Sequence, residues 1–125
     1  MLKSLKAPAA LLEPRLLGMA LTVGDKRVKL IKLTPRSASQ CNPHSGRPLF
    51  QQPRPDAAVH EFGNGLILCI AAGPDKAMEA LQVDGIRLED GTPVGGCSRI
   101  AAYLGLANYI CLTATITGNE MVLSG

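Results

Sequence analysis

Cys97 is the first residue to ask about chemistry. In GTPVGGCSRIAAYLG it follows the pair Gly95-Gly96 and precedes Ser98 and Arg99, where a turn-like pattern passes into a helical one. A thiol at a helix start faces the positive end of the helix dipole and free backbone N–H groups, which lower its pKa and favour the reactive thiolate. Hydrolase-type cysteine catalysis also needs a histidine within hydrogen-bonding reach, oriented by a third group. The chain has only two histidines. His44 lies in a proline-rich segment, and His60 stands beside Glu61 in a strand-like run, where neighbours point to opposite faces. Cys97 and His60 are the candidate catalytic pair, but no catalytic residue is assigned. The preferred reading makes Gly95 and Gly96 the turn, Ser98 the helix cap and Cys97 a small residue at a tight corner.

The same loop brings backbone N–H groups to a helix start, so Gly95, Gly96, Ser98 and Arg99 are anion-binding candidates. No lysine follows the glycines and the GxGxxG spacing is absent, which excludes the familiar nucleotide loops. Cys41 and His44, in CNPH, have the type and spacing of half a zinc site. The other thiols and His60 are scattered along the chain, so an Asn-Pro turn is preferred, and neither a metal nor a cofactor is expected. Glu89 and Asp90 sit in an Asp-Gly turn, where carboxylates serve solvation and turn geometry.

The broadest polar feature is basic: Lys26, Arg27, Lys29, Lys32, Arg36, Arg47 and Arg54 are interaction candidates. Residues 1–55 carry ten Lys/Arg and two acidic residues, whereas residues 56–125 carry three Lys/Arg and eight acidic ones. A net charge of +3 therefore hides a strongly basic half and an acidic half. Such a split suits contact between copies of the chain or with another acidic protein surface; two solvated faces explain it as well. Nucleic acid is a possible but less favoured partner.

These residues must be positioned by short elements. MALTV, GDK and RVKLIKL read as a β-hairpin whose polar side carries the lysines, and the break in alternation from Leu30 to Ile31 suggests a bulge or burial on both faces. AAVHEF, GNG and LILCIAA read as a second hairpin, and NYICLTATI, TGNE and MVLS as a third. Pro8, Pro14 and Gly18 leave room for a short N-terminal helix. GPDKAMEALQV predicts a helix beginning at Pro74, and SRIAAYLGL another. VDGIRLEDGTPVGG reads as two short strands among Asp-Gly and Gly-Gly turns. Residues 34–56 contain five prolines and exclude a helix or a central strand, which leaves a long arm or loop.

The expected fold is α+β: one small domain spanning residues 1–125, built of β-hairpins with two or three short helices and a proline-rich arm at 34–56. A βαβ crossover after LILCIAA is the alternative, and it would make the sheet mixed. At 125 residues one core is expected, and with aromatics at 3% it must be mainly aliphatic. So few aromatics exclude a base-stacking platform for single strands. Glu13, Pro14 and Arg15 interrupt the N-terminal apolar run, so neither a signal peptide nor a membrane span is expected. Cys69 and Cys111 lie in apolar runs and read as reduced core thiols in a cytoplasmic or virion protein.

The function expected first is a non-catalytic structural or assembly subunit of a homo-oligomer, with a viral or phage decoration, connector or tail component as the analogy. The alternative is a small enzyme or ligand-binding protein built on the Gly-Gly-Cys-Ser corner. Enzymatic activity stays open and is the less favoured outcome.

Overall fold

Short runs of β-branched and aliphatic residues broken by glycine turns favour strands, and strands dominate the computed structural model, which describes residues 5, 7–37, 56–62, 65–72, 79–106 and 111–124. The order is α1 (Ala9–Leu16), β1 (Ala20–Val23), β2 (Lys26–Ser37), β3 (Ala57–Phe62), β4 (Gly65–Ala72), β5 (Glu79–Arg87), β6 (Pro93–Gly95), α2 (Cys97–Tyr103), β7 (Cys111–Thr117) and β8 (Glu120–Ser124). The strands form one sheet in the order β2-β1-β8-β7-β3-β4-β5-β6. Because β2 also pairs with β5, the sheet curls back on itself. The three expected hairpins are present as the antiparallel pairs β1–β2, β3–β4 and β7–β8. The sheet is mixed through the parallel pairing of β1 with β8.

Curling the sheet encloses an aliphatic core. Leu21, Val28, Leu30, Leu68, Ile70, Leu81, Val83, Ile86, Met121 and Leu123 point into it from the strands. Leu12 and Leu16 close it from α1, and Ile100 and Leu104 from α2 and its end. No helix among the described residues is long and apolar enough to cross a membrane.

The pairing of β2 with β5 contains the irregularity that matters for the site. Leu30 pairs with Ile86, Lys32 with Gly85 and Leu33 with Val83. Ile31 is thus one extra residue on β2, and Asp84 is one extra residue on β5. This confirms a bulge at the Leu30–Ile31 step, where Ile31 is 37% exposed. The two insertions let the strands change facing residues without losing register. At the crossing, a Cβ on Gly85 would lie 2.9 Å from the Cβ of Lys32 and 3.2 Å from Cγ1 of Ile31. Gly85 is needed for close approach, and the Asp84-Gly85 pair belongs to a strand rather than to a turn.

Four expectations need correction. The helix proposed from Pro74 is overturned from Glu79 onward, which is strand β5; residues 73–78 lie outside the described residues. Pairing on both sides, with β4 and β2, satisfies the β5 backbone and overrides the helical propensity of its Glu, Ala and Leu. The β4 to β5 connection is not a parallel crossover, since the two strands are antiparallel. The segment from Thr34 does not begin as a loop, because residues 34–37 continue β2 against β5. Pro35 is tolerated there because β1 pairs only with the Lys26 to Lys29 end, so the other side of the β2 end needs no donor from it. Finally, the N-cap of α2 is Gly96, without a side-chain cap bond, and Ser98 lies inside the helix. Residues 38–55, which hold the rest of the proline-rich segment, lie outside the described residues.

Candidate functional site

The outward residues of β2 and β5 meet the first turn of α2 in a polar cluster. Alternation directs Leu33, Leu81 and Val83 into the core, which leaves Thr34 and Arg36 of β2 and Gln82 and Asp84 of β5 on the other face. Gly96, with φ of +96°, turns the chain from β6 into α2 in a conformation that L side chains rarely adopt, and so lays Cys97 against this face.

Asp84 is the centre of the cluster. Its Oδ2 accepts from Thr34 Oγ1. Its Oδ1 accepts from Gln82 Nε2 at 2.7 Å and from Cys97 Sγ at 3.0 Å. Gln82 Nε2 also lies 3.2 Å from Cys97 Sγ, while its Oε1 accepts from Arg36 Nε at 3.0 Å. Burial pushes the Asp84 carboxyl up, but donation by Thr34, Cys97 and Gln82, with the nearby charge of Lys32, outweighs it and holds the pKa below the usual carboxylate value.

The same contacts set the state of Cys97. Burial, its hydrogen bond to Asp84 and the negative charge of Asp84 push the thiol up to about 11, against a smaller opposing effect of donation from Gln82. The expected helix-start activation is therefore reversed at this position. Cys97 serves as a protonated donor that helps to hold an anionic Asp84.

Beside the cluster is an open pocket of about 350 Å³ lined by Arg36, Leu66, Ile67, Gln82, Gly96, Cys97, Ser98 and Arg99. Leu66 and Ile67 supply an apolar wall, and Ser98 Oγ ties that wall to α2 by accepting from the Leu66 backbone N–H at 3.2 Å. Among the described residues the one ion pair is Arg27 with Glu120, at 3.7 Å, so neither Arg36 nor Arg99 is neutralised by a carboxylate there.

The structure thus brings together Gly96, Ser98 and Arg99 of the expected anion loop with Cys97 and with Arg36 of the basic set; Gly95 ends β6 and stays outside the pocket lining. Lys26 stands over the Tyr103 ring at 4.9 Å, Arg27 pairs with Glu120, and Lys29 and Lys32 are exposed. His60 is opposite Ile67 in the β3–β4 register, while its side chain lies outside what is described. Cys41, His44, Arg47 and Arg54 also fall outside the described residues. Among those described, no group of three His, Cys, Asp or Glu could hold a metal ion. Sequence reading missed Thr34, Gln82 and Asp84. The available signal was the i, i+2 spacing of Gln82 and Asp84 between apolar residues, masked by the turn-like Asp-Gly pair. No protein-family model, curated protein or solved structure matches this chain.

Proposed function

We propose that the protein binds a small organic anion, a carboxylate or phosphate carried on a compact apolar body, in the pocket between β4, β5 and α2. The observation that carries this reading is the pair Arg36 and Arg99 beside the apolar wall of Leu66 and Ile67. Arg36 is oriented through its Nε on Gln82, which leaves its terminal N–H groups for a ligand. A guanidinium held in this way loses less freedom on binding and suits the two oxygens of a carboxylate or phosphate. A volume of about 350 Å³ lies within the range of small-ligand pockets. Cys97 is held as a thiol beside Asp84, so this reading gives it no nucleophilic role.

Thermal denaturation in the presence of phenyl phosphate tests it. Binding to the folded state raises the melting temperature with ligand concentration. The rise is expected in the wild type and lost in an Arg36→Ala/Arg99→Ala protein; an equal rise in both would refute the assignment.

Self-assembly is a second reading, favoured by Leu11 and Leu17, which stand 61% and 38% exposed on α1 and at its end. Burying them between copies would remove apolar surface from water. A protein that sediments as a monomer at high concentration would exclude it.

A further inference from the structure

A track of basic side chains lies along the outer face of β2 and β5. Lys29 and Arg87 are direct cross-strand partners, and both are exposed. Like charges opposite one another on a sheet repel, so this pairing opposes the fold that contains it. Arg87 relieves part of its need by donating from Nη1 to the Gly91 carbonyl at 2.9 Å, but a carbonyl does not cancel its charge. Beyond the bulge Lys32 is exposed on the same face. The nearby Asp84 already accepts from three groups. The track continues to Arg36, about 23 Å from Lys29 at about 3.3 Å per strand residue.

We infer that this track binds the phosphodiester backbone of a nucleic acid without regard to sequence. A phosphate backbone presents closely spaced charge along a line, and a row of lysine and arginine neutralises it by releasing counterions. A protein surface fits less well. Docking sites between proteins have an apolar centre, whereas Ile31 is the one exposed large apolar side chain along this track. None of the track residues is aromatic, so contact is with the backbone rather than with stacked bases. Arg36 is shared with the pocket, but Lys29, Lys32 and Arg87 do not line it, so the inference tested on those three goes beyond the pocket and does not depend on it.

Fluorescence anisotropy with a labelled mixed-sequence DNA duplex of about 20 base pairs, at potassium chloride from 25 to 150 mM, tests the inference. Phosphate contacts by Lys29, Lys32 and Arg87 contribute about −2.7 to the slope of log K against log salt. The Lys29→Glu/Lys32→Glu/Arg87→Glu protein is expected to lose binding by more than about 100-fold at the lowest salt. Should that variant fail to fold, the corresponding triple-alanine variant is expected to reduce the magnitude of the slope by about 2.7. Absent binding at 25 mM, binding unaltered by the substitutions, or tighter binding to poly-glutamate than to the duplex would each overturn it.

Discussion

At pH 8 a thiol whose pKa has risen to about 11 carries about 100-fold less thiolate than one near 9, and alkylation proceeds through the thiolate. Cys97 is therefore expected to react with iodoacetamide about 100-fold more slowly than a free cysteine, despite its position at the start of a helix. Asp84→Asn removes the negative charge and should accelerate the reaction, as mass spectrometry of the Cys97 peptide would record; an unchanged rate would show that Asp84 does not hold the proton. Asp84 itself predicts an acid limit. Its pKa is lower folded than unfolded, so its contribution to stability is in place above the ordinary carboxylate range and disappears as pH falls through the lowered value. The melting-temperature gap between wild type and Asp84→Asn should accordingly be wide at pH 7 and shrink below about pH 4. A gap independent of pH would place the effect in packing rather than in the carboxylate.

The elements decide which of these contacts the sequence reveals. Hairpins were legible because turn residues such as Gly24-Asp25 and Gly118-Asn119 are local, and so are the alternating runs that flank them. The Ile31 bulge was legible for the same reason, as a break in alternation. What stayed hidden depends on partners distant in the chain. Asp84-Gly85 reads as a turn until Lys32 is known to cross it, and β5 reads as helical until β2 and β4 are known to flank it. The polar cluster inherits this difficulty, since Thr34 and Asp84 are 50 residues apart. The crossing also makes a prediction. A methyl at Gly85 would overlap Lys32 Cβ, which is fixed to the backbone and cannot swing aside. Gly85→Ala should cost about 1–3 kcal/mol in urea denaturation, and Gly95→Ala, where nothing lies within 4 Å, much less. Equal costs would mean that the close approach is not a constraint.

For the molecule as a whole, the curled sheet leaves aliphatic surface that its two short helices must cover. Leu12 and Leu16 of α1 are fully buried in the same cluster as Leu30 and Ile86. Leu12→Ala is expected to destabilise the protein by about 2–5 kcal/mol, whereas the exposed Leu11→Ala should leave stability nearly unchanged. A small effect at Leu12 would mean that α1 is not part of the cooperative core. With the core supplied by inward residues, the outer face of β2 and β5 is free to carry polar groups that do nothing for packing. Arg36 on that face is aimed by Gln82, Arg99 is carried by the first turn of α2, and the two flank the pocket on which the functional reading rests. Isothermal titration with phenyl phosphate tests that reading most directly. Wild-type protein is predicted to bind one equivalent, with affinity about 10-fold or more lower in Arg36→Ala, since a hydrogen bond to a charged group contributes about 1.5–3 kcal/mol. Affinity equal in the wild type and in the Arg36→Ala/Arg99→Ala protein, or no heat of binding to either, would contradict it.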